Sequence, residues 1–208
     1  MSTTAYRTIA CAGSSEIEVK RSRFLCHVER VSNEGAARAV IERIRKQHWD
    51  ARHHCSAFVL GPDGDMQRCN DDGEPSGTAG APMLEVLRGR ELSDVVAVVT
   101  RYFGGVLLGA GGLVRAYSDA VRAVLDEVGV LERRLLQLAD VVADHADAGR
   151  LENDLRARDV TVVGVDYAGH ATLHVAVPGP LDALDGVLAE LTGGTAAATP
   201  TGTAWVDG

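Results

Sequence analysis

The stretch VVAVVTRYFGGVLLGAGGLVRAY, residues 95–117, decides the fold. Its first six residues, VVAVVT, are the β-branched run of a strand buried on both faces. Glycines interrupt the run, and the apolar period then changes to that of a helix from Gly112 to Glu127. Leu113, Tyr117, Ala120, Val121, Val124 and Val128 form its inner stripe, and Gly129 supplies the C-terminal stop.

Upstream, Ile17 to Val19 alternates as a half-buried strand does, and Phe24 to Val31 reads as a second strand. Ser32 and Asn33 can cap a helix from Glu34 to His48, with Ala37, Val40, Ile41 and Ile44 inward. His54 to Leu60 is a third strand, turned by Gly-Pro-Asp-Gly (61–64) into a hairpin partner at 65–69. A short helix starts around Pro82 and ends before Gly89.

Downstream the pattern is plainer. Residues 131–143 read as a strand, and Asp144 caps a helix to about Arg158. Strands at 160–167 and 171–177 follow, then a helix after Pro180 with Leu181, Leu184, Leu188 and Leu191 inward, and a last short strand at 204–206. The order βαββαβ is that of a ferredoxin-like domain.

The chain has 208 residues, 46% hydrophobic, 24% charged and 4% aromatic, which suits one or two globular domains and excludes disordered or disulfide-scaffold classes. No apolar run has membrane-spanning length and the start MSTTAYRTIA lacks a signal core, so the expected setting is cytoplasmic, with no membrane partner. Cys11, Cys26, Cys55 and Cys69 form no CxxC pair and are expected as reduced thiols, with Cys26 and Cys69 acting as small apolar residues. The net charge of −8 is uneven: residues 1–128 hold 16 Lys+Arg against 17 Asp+Glu, whereas residues 129–208 hold 5 against 12. The glycine motifs and clustered Arg, His and Tyr also stop near Gly129. Two domains are expected, 1–128 and 129–208.

Three segments carry possible chemistry. In DDGEPSGTAGAP (71–82), Asp71, Asp72 and Glu74 could hold Mg²⁺, while Ser76, Thr78 and a helix start offer donors to an anion. The same composition is ordinary turn chemistry. In RYFGGVLLGAGGLVRAY (101–117), backbone amides around Gly104, Gly105, Gly111 and Gly112 could face an anion. Arg101 and Arg115 add forked cations, and Tyr102, Phe103 and Tyr117 add stacking faces. The spacing fits neither GxxxxGK[ST] nor GxGxxG, and a close-packed glycine turn explains it equally. In ARHHC (51–55), His53 or His54 could face a site, and Cys55 shares the side of His53. Strand adjacency does not give the hydrogen bond that activates a thiol. Neither a metal site nor a cofactor is expected.

The segments KRSRF (20–24), ARHHCSAFVLG (51–61), CNDDGEPSGTAGAPML (69–84) and VVTRYFGGVLLGAGGLVRAY (98–117) together resemble the YigZ family, bacterial relatives of the eukaryotic IMPACT proteins. The likeness spans about residues 5–128, and residues 129–208 resemble the family's small C-terminal domain. It implies an α+β fold: an N-terminal two-layer α/β sandwich similar to ribosomal-protein and elongation-factor domains, and a C-terminal ferredoxin-like domain similar to an elongation factor G module. Arg101, Asp71, Asp72, Glu74, Ser76, Thr78, Gly104, Gly105, Gly111 and Gly112 fall on the family signature. The expectation is a non-enzymatic, translation-associated protein that binds RNA or a ribosome-linked protein. Its surface would combine the 101–115 loop, the 71–78 loop and the His53/His54 strand. The competing expectation is a Mg²⁺-assisted phosphate-ester or nucleotide enzyme at the same loops.

Overall fold

In the computed structural model, residues 3–208 are described. The chain divides into two units, residues 1–133 and 134–208. The first contains β1 (Ala5–Ile9), β2 (Gly13–Val19), β3 (Ser22–Arg30), α1 (Glu34–Gln47), β4 (His53–Leu60), β5 (Met66–Asn70), α2 (Gly80–Gly89), β6 (Val95–Tyr102) and α3 (Ala110–Val128). Strand β7 (Val130–Ala143) crosses the division. The second continues with α4 (His145–Arg156), β8 (Thr161–Tyr167), β9 (Ala171–Pro178), α5 (Asp182–Thr192) and β10 (Ala198–Asp207).

The run at 95–100 sits in β6, the middle strand of a sheet ordered β2-β3-β6-β4-β5, antiparallel throughout. Alternation sorts its side chains. Val95, Ala97 and Val99 join Phe24, Cys26, Cys55, Ala57 and the α2 and α3 stripes in one core, while Val96 and Val98 join Phe58, Leu60 and α1 in another. Both faces are therefore covered, which is why an uninterrupted apolar strand is stable here. The α+β class is as read from the sequence, and α1 adds a third layer to the two-layer sandwich.

Asn33 caps α1, its side-chain oxygen accepting from the Ala36 amide at 2.9 Å. β1 escapes a sequence reading. Its inward residues are Tyr6, Thr8 and Ile9, and Thr8 is polar yet fully buried. β1 pairs with β7, whose first residues (130–133) belong to this unit.

In the second unit the strands lie in the order β10-β7-β9-β8, and Ala148, Leu151, Leu155, Leu184 and Leu188 of its helices share one core with Ala139, Val141, Leu173 and Val175. The βαββαβ order and this strand order make it ferredoxin-like. Asp144 occupies the N-cap of α4 without a side-chain cap bond, and β10 is longer than the short strand expected. Among the described residues no helix is long and apolar enough to cross a membrane.

On the open face of this sheet His174 sits between two carboxylates, Nδ1 2.6 Å from Asp140 and Nε2 3.1 Å from Asp166. The hydrogen bond to Asp140, and then that to Asp166, raise its pKa. A histidine whose pKa rises on folding stabilises the fold fully below its unfolded value, about 6.5, and the contribution is lost as pH climbs through the folded value. Urea melts of the chain should therefore show this contribution declining as pH rises from the unfolded value upward, and Asp140→Asn should flatten that slope.

Candidate functional site

The 71–78 loop joins β5 to α2, and its carboxylates are turned inward onto its own backbone. Asp71 accepts from the amides of Gly77 (2.7 Å), Ala79 (3.0 Å) and Gly80 (2.7 Å), so this side chain already fills the anion position at the start of α2. Burial alone would push the Asp71 carboxyl up, but the amides of Gly77, Gly80 and Ala79 together outweigh it and hold the pKa below the ordinary value. Asp72, at a left-handed φ of 44°, accepts from the His54 amide at 2.6 Å and from Arg45 at 2.9 Å. Thr78 donates its hydroxyl to the Pro75 carbonyl at 2.6 Å, while Ser76 is exposed.

Glu74 is buried and lies at the centre of a polar chain. Its Oε1 accepts from Arg101 Nη1 at 2.7 Å and from Tyr117 Oη at 2.8 Å. Cys55 Sγ lies 3.3 Å from Tyr117 Oη and 3.0 Å from the Asp71 carbonyl oxygen. Arg101 continues to Ser22 Oγ at 3.4 Å, and Ser22 Oγ accepts the Gly104 amide at 3.2 Å. The guanidinium also lies between the rings of Phe24 (5.4 Å) and Phe103 (5.6 Å). The acidic loop, β4, β6 and α3 are thus tied by one buried network.

These contacts correct several expectations. Asp71, Asp72 and Glu74 do not converge on a shared cation position, because each is directed at a different backbone or side-chain donor. Among the described residues, no group of three or more His, Cys, Asp or Glu is arranged to hold a metal. His53 donates from Nδ1 to the Asp72 carbonyl at 2.9 Å. His54, 5% exposed, donates from Nε2 to the His48 carbonyl at 3.0 Å. Both imidazoles are thus fastening points of β4, each committed to a backbone carbonyl. Arg101, 6% exposed, spends its guanidinium on Glu74 and Ser22 and is not free for an external phosphate. Tyr102 donates its hydroxyl to Asp50 at 3.0 Å and accepts from His48 Nδ1 at 3.1 Å. The 71–78 and 101–115 segments meet through Glu74 and Arg101. A 380 Å³ groove bordered by Gly77 and Val114 is otherwise lined by α2 and α3 and by none of the expected site residues.

Cys55 is not a nucleophile in this setting: burial, ahead of its charged neighbours, pushes its thiol to about 12. Cys26 is buried and its thiol is also raised by burial, whereas Cys69 is exposed rather than a core residue. Maleimide labelling of the native chain near neutral pH should modify Cys11 and Cys69 only, with Cys26 and Cys55 reacting after unfolding.

What remains open is the far end of β6. The loop runs from Phe103 to Gly109, and α3 begins at Ala110 with no side chain capping it. Gly105 and Gly109 take φ of 81° and 73°, where glycine has no steric cost. Gly111 and Gly112 lie in the first turn of α3, and Arg115 is exposed just beyond it. Phe103, Val106, Leu107 and Val114 are exposed apolar residues, Leu107 at 82%. The β2–β3 turn carries exposed Lys20 and Arg21 and touches this loop at Gly104. Among the described residues Lys20, Arg21 and Arg115 form no ion pair. The sequence marks Lys20 and Arg21 only as part of KRSRF (20–24) and not as site candidates; their signal is the basic start of that segment at a turn.

Residues 20–125 match the Impact N-terminal domain, and residues 141–195 match a domain of unknown function, DUF1949. The chain is 51% identical over 164 residues to "IMPACT family member YvyE" of Bacillus subtilis, covering 79% of this chain and 76% of that one. It is 39% identical over 163 residues to "IMPACT family member YigZ" of Escherichia coli, covering 77% and 80%. A solved structure described as "Crystal structure of an hypothetical protein" is 34% identical, with a TM-score of 0.65 over 95% of this chain and 98% of that one. Matched across both its units, and carrying the acidic loop, the glycine loop and β6 within the first match, the chain belongs to the IMPACT family.

Proposed function

We propose that this chain is a non-enzymatic, translation-associated protein that binds single-stranded RNA through the end of its first unit formed by Lys20, Arg21, the 103–109 loop and Arg115. The observation that carries the reading is the set of cations left without carboxylates there. Elsewhere in the unit arginines are largely matched, as in Arg23 with Glu16, Arg38 with Glu34, Arg45 with Asp72, Arg90 with Asp126 and Arg122 with Asp119. Unpaired cations release counterions from a phosphate backbone, and an uncapped helix start adds amide donors. Phe103, 47% exposed, offers a face on which a base can stack. The acidic second unit argues against phosphate contact there, so RNA is assigned to the first.

Leu107 favours a second reading. An aliphatic side chain at 82% exposure beside Val106 gives little to RNA and suits a protein contact. A ribosome-linked protein would then be the partner at the same loop.

Fluorescence anisotropy with a labelled single-stranded RNA separates the two. Affinity should fall with salt, and Arg115→Ala should lower the log–log slope by about 0.7. Leu107→Ser should leave RNA affinity nearly unchanged. An affinity and slope indifferent to Arg115→Ala, Lys20→Ala and Arg21→Ala combined would overturn the RNA reading.

A further inference from the structure

The two faces of the first sheet are covered unequally. Helices α2 and α3 lie across all five strands of one face, whereas α1 alone packs on the other, against β4 and β6. One helix, about 10 Å across, covers two strands spaced about 4.8 Å apart, so the β2–β3 half beside it stays open. The result is a cavity of 480 Å³ with Leu25 and Thr100 from the sheet and Ile44, Gln47 and His48 from α1 and its C-terminal end. That volume is in the range of small-ligand sites.

Thr100 is fully buried, and its hydroxyl has no hydrogen-bond partner. Its strand neighbours in register, Leu25 and His54, supply none. Buried hydroxyls are nearly always satisfied, so an unsatisfied one marks where a partner belongs, and Ser15 Oγ, on the wall of the same cavity, is also buried without a partner. Two more groups beside Thr100 are uncommitted. Gln47 has no side-chain partner among the described residues. His48 spends Nδ1 on Tyr102, which leaves Nε2 as an acceptor whenever the ring is neutral.

The charges at the rim cancel. Arg43 is held by Glu29, and Arg23 is held by Glu16 through two bonds of 2.6 and 2.8 Å. His27 commits both nitrogens, to Ser14 at 2.7 Å and to Glu29 at 3.1 Å. What is offered to a ligand is a hydroxyl, a carboxamide and an imidazole nitrogen beside the aliphatic surfaces of Leu25 and Ile44, with no spare cation for phosphate. We infer that this cavity binds an uncharged planar heterocycle of nucleobase type, whether a free nucleoside or an unpaired base of RNA. The site is distinct from the cationic loop and does not depend on it.

Isothermal titration of the full chain with adenosine, guanosine, cytidine and uridine, each beside its 5′-monophosphate, tests the site. At least one nucleoside should bind with an affinity insensitive to salt, and its monophosphate should bind no tighter. Thr100→Val keeps the shape and removes the orphan hydroxyl, so the melting temperature should hold or rise while nucleoside affinity falls by about fivefold or more. Leu25→Trp, which fills the cavity, should abolish binding. If the base comes from RNA, the nucleoside will compete with a labelled oligonucleotide on the wild type and not on Thr100→Val; if free nucleosides are the ligand, oligonucleotide binding will ignore it. No heat from any nucleoside at millimolar concentration, unaltered affinity in Thr100→Val, or monophosphates binding more tightly with salt dependence would each overturn the inference. Failure of the loop reading would appear separately, as salt-dependent RNA affinity that ignores the Arg115 variant.

Discussion

Replacing Arg101 with alanine is expected to destabilise the first unit by about 3–5 kcal/mol, the usual cost of leaving one member of a buried ion pair alone. The Arg101 and Glu74 side chains are only 7% and 4% exposed, and they lie 2.7 Å apart. Removing the guanidinium strands a carboxylate whose other donor is Tyr117, and it empties the space between Phe24 and Phe103. At that magnitude the melting temperature should fall by about 10–15 °C. The double variant Glu74→Gln with Arg101→Met should recover most of the loss, because the amide oxygen still accepts from Tyr117 and no charge remains buried. Thermal and urea unfolding of Glu74→Gln, Arg101→Met and their double close the cycle. A single-variant cost below about 1 kcal/mol would mean the pair is solvated.

The second large effect is expected at Gly104. A Cβ there would lie 2.0 Å from the carbonyl carbon and oxygen of Arg21 and 2.5 Å from the Ser22 amide nitrogen. Those are backbone atoms, so relief requires moving the β2–β3 turn or the loop. Gly104→Ala should therefore reach the upper end of overpacking costs, about 3 kcal/mol. Any shift also disturbs the Gly104 amide bond to Ser22 Oγ and, through it, Arg101. Gly105→Ala meets open space at a φ of 81°, so only the left-handed strain applies, about 1–2 kcal/mol. Gly111→Ala, in the first turn of α3 with open space, should be neutral or stabilising. Unfolding measurements should return that order, and equal effects at 104 and 105 would contradict the close approach.

How far the sequence carried is clearest at β6 and the acidic loop. VVAVVT declared a doubly covered strand because burial on both faces leaves its mark in consecutive residues. The second unit was legible for a related reason, since its strands and helices alternate cleanly between turn signals. The 71–78 segment was legible in composition and misleading in purpose. Its carboxylates looked free for Mg²⁺ because composition does not show where a loop folds: Asp71 turns onto amides of its own loop as far as Gly80, while Asp72 reaches back to Arg45 on α1 and Glu74 across to Arg101 on β6. Spacing rules see neighbours along the chain, and the last two partners are neighbours only in space. β1 was hidden because buried Thr8 breaks the apolar pattern that identifies a strand. Thr100 was hidden by the opposite effect, as one hydroxyl at the end of an apolar run. The split of the net charge between the units was visible at the outset, but the location of uncompensated cations depends on which arginines find carboxylates in space.

The motifs of the first unit thus separate into two roles. The 71–78 loop with Arg101 builds the fold, and the end of β6 with the β2–β3 turn is the surface proposed to meet the partner. Amide chemical-shift mapping of single-stranded RNA onto the full chain tests that division most directly. Perturbations are expected at Lys20, Arg21, residues 103–109 and Arg115, with residues 71–78 unmoved. Perturbations centred on 71–78, or on the second unit, would contradict it.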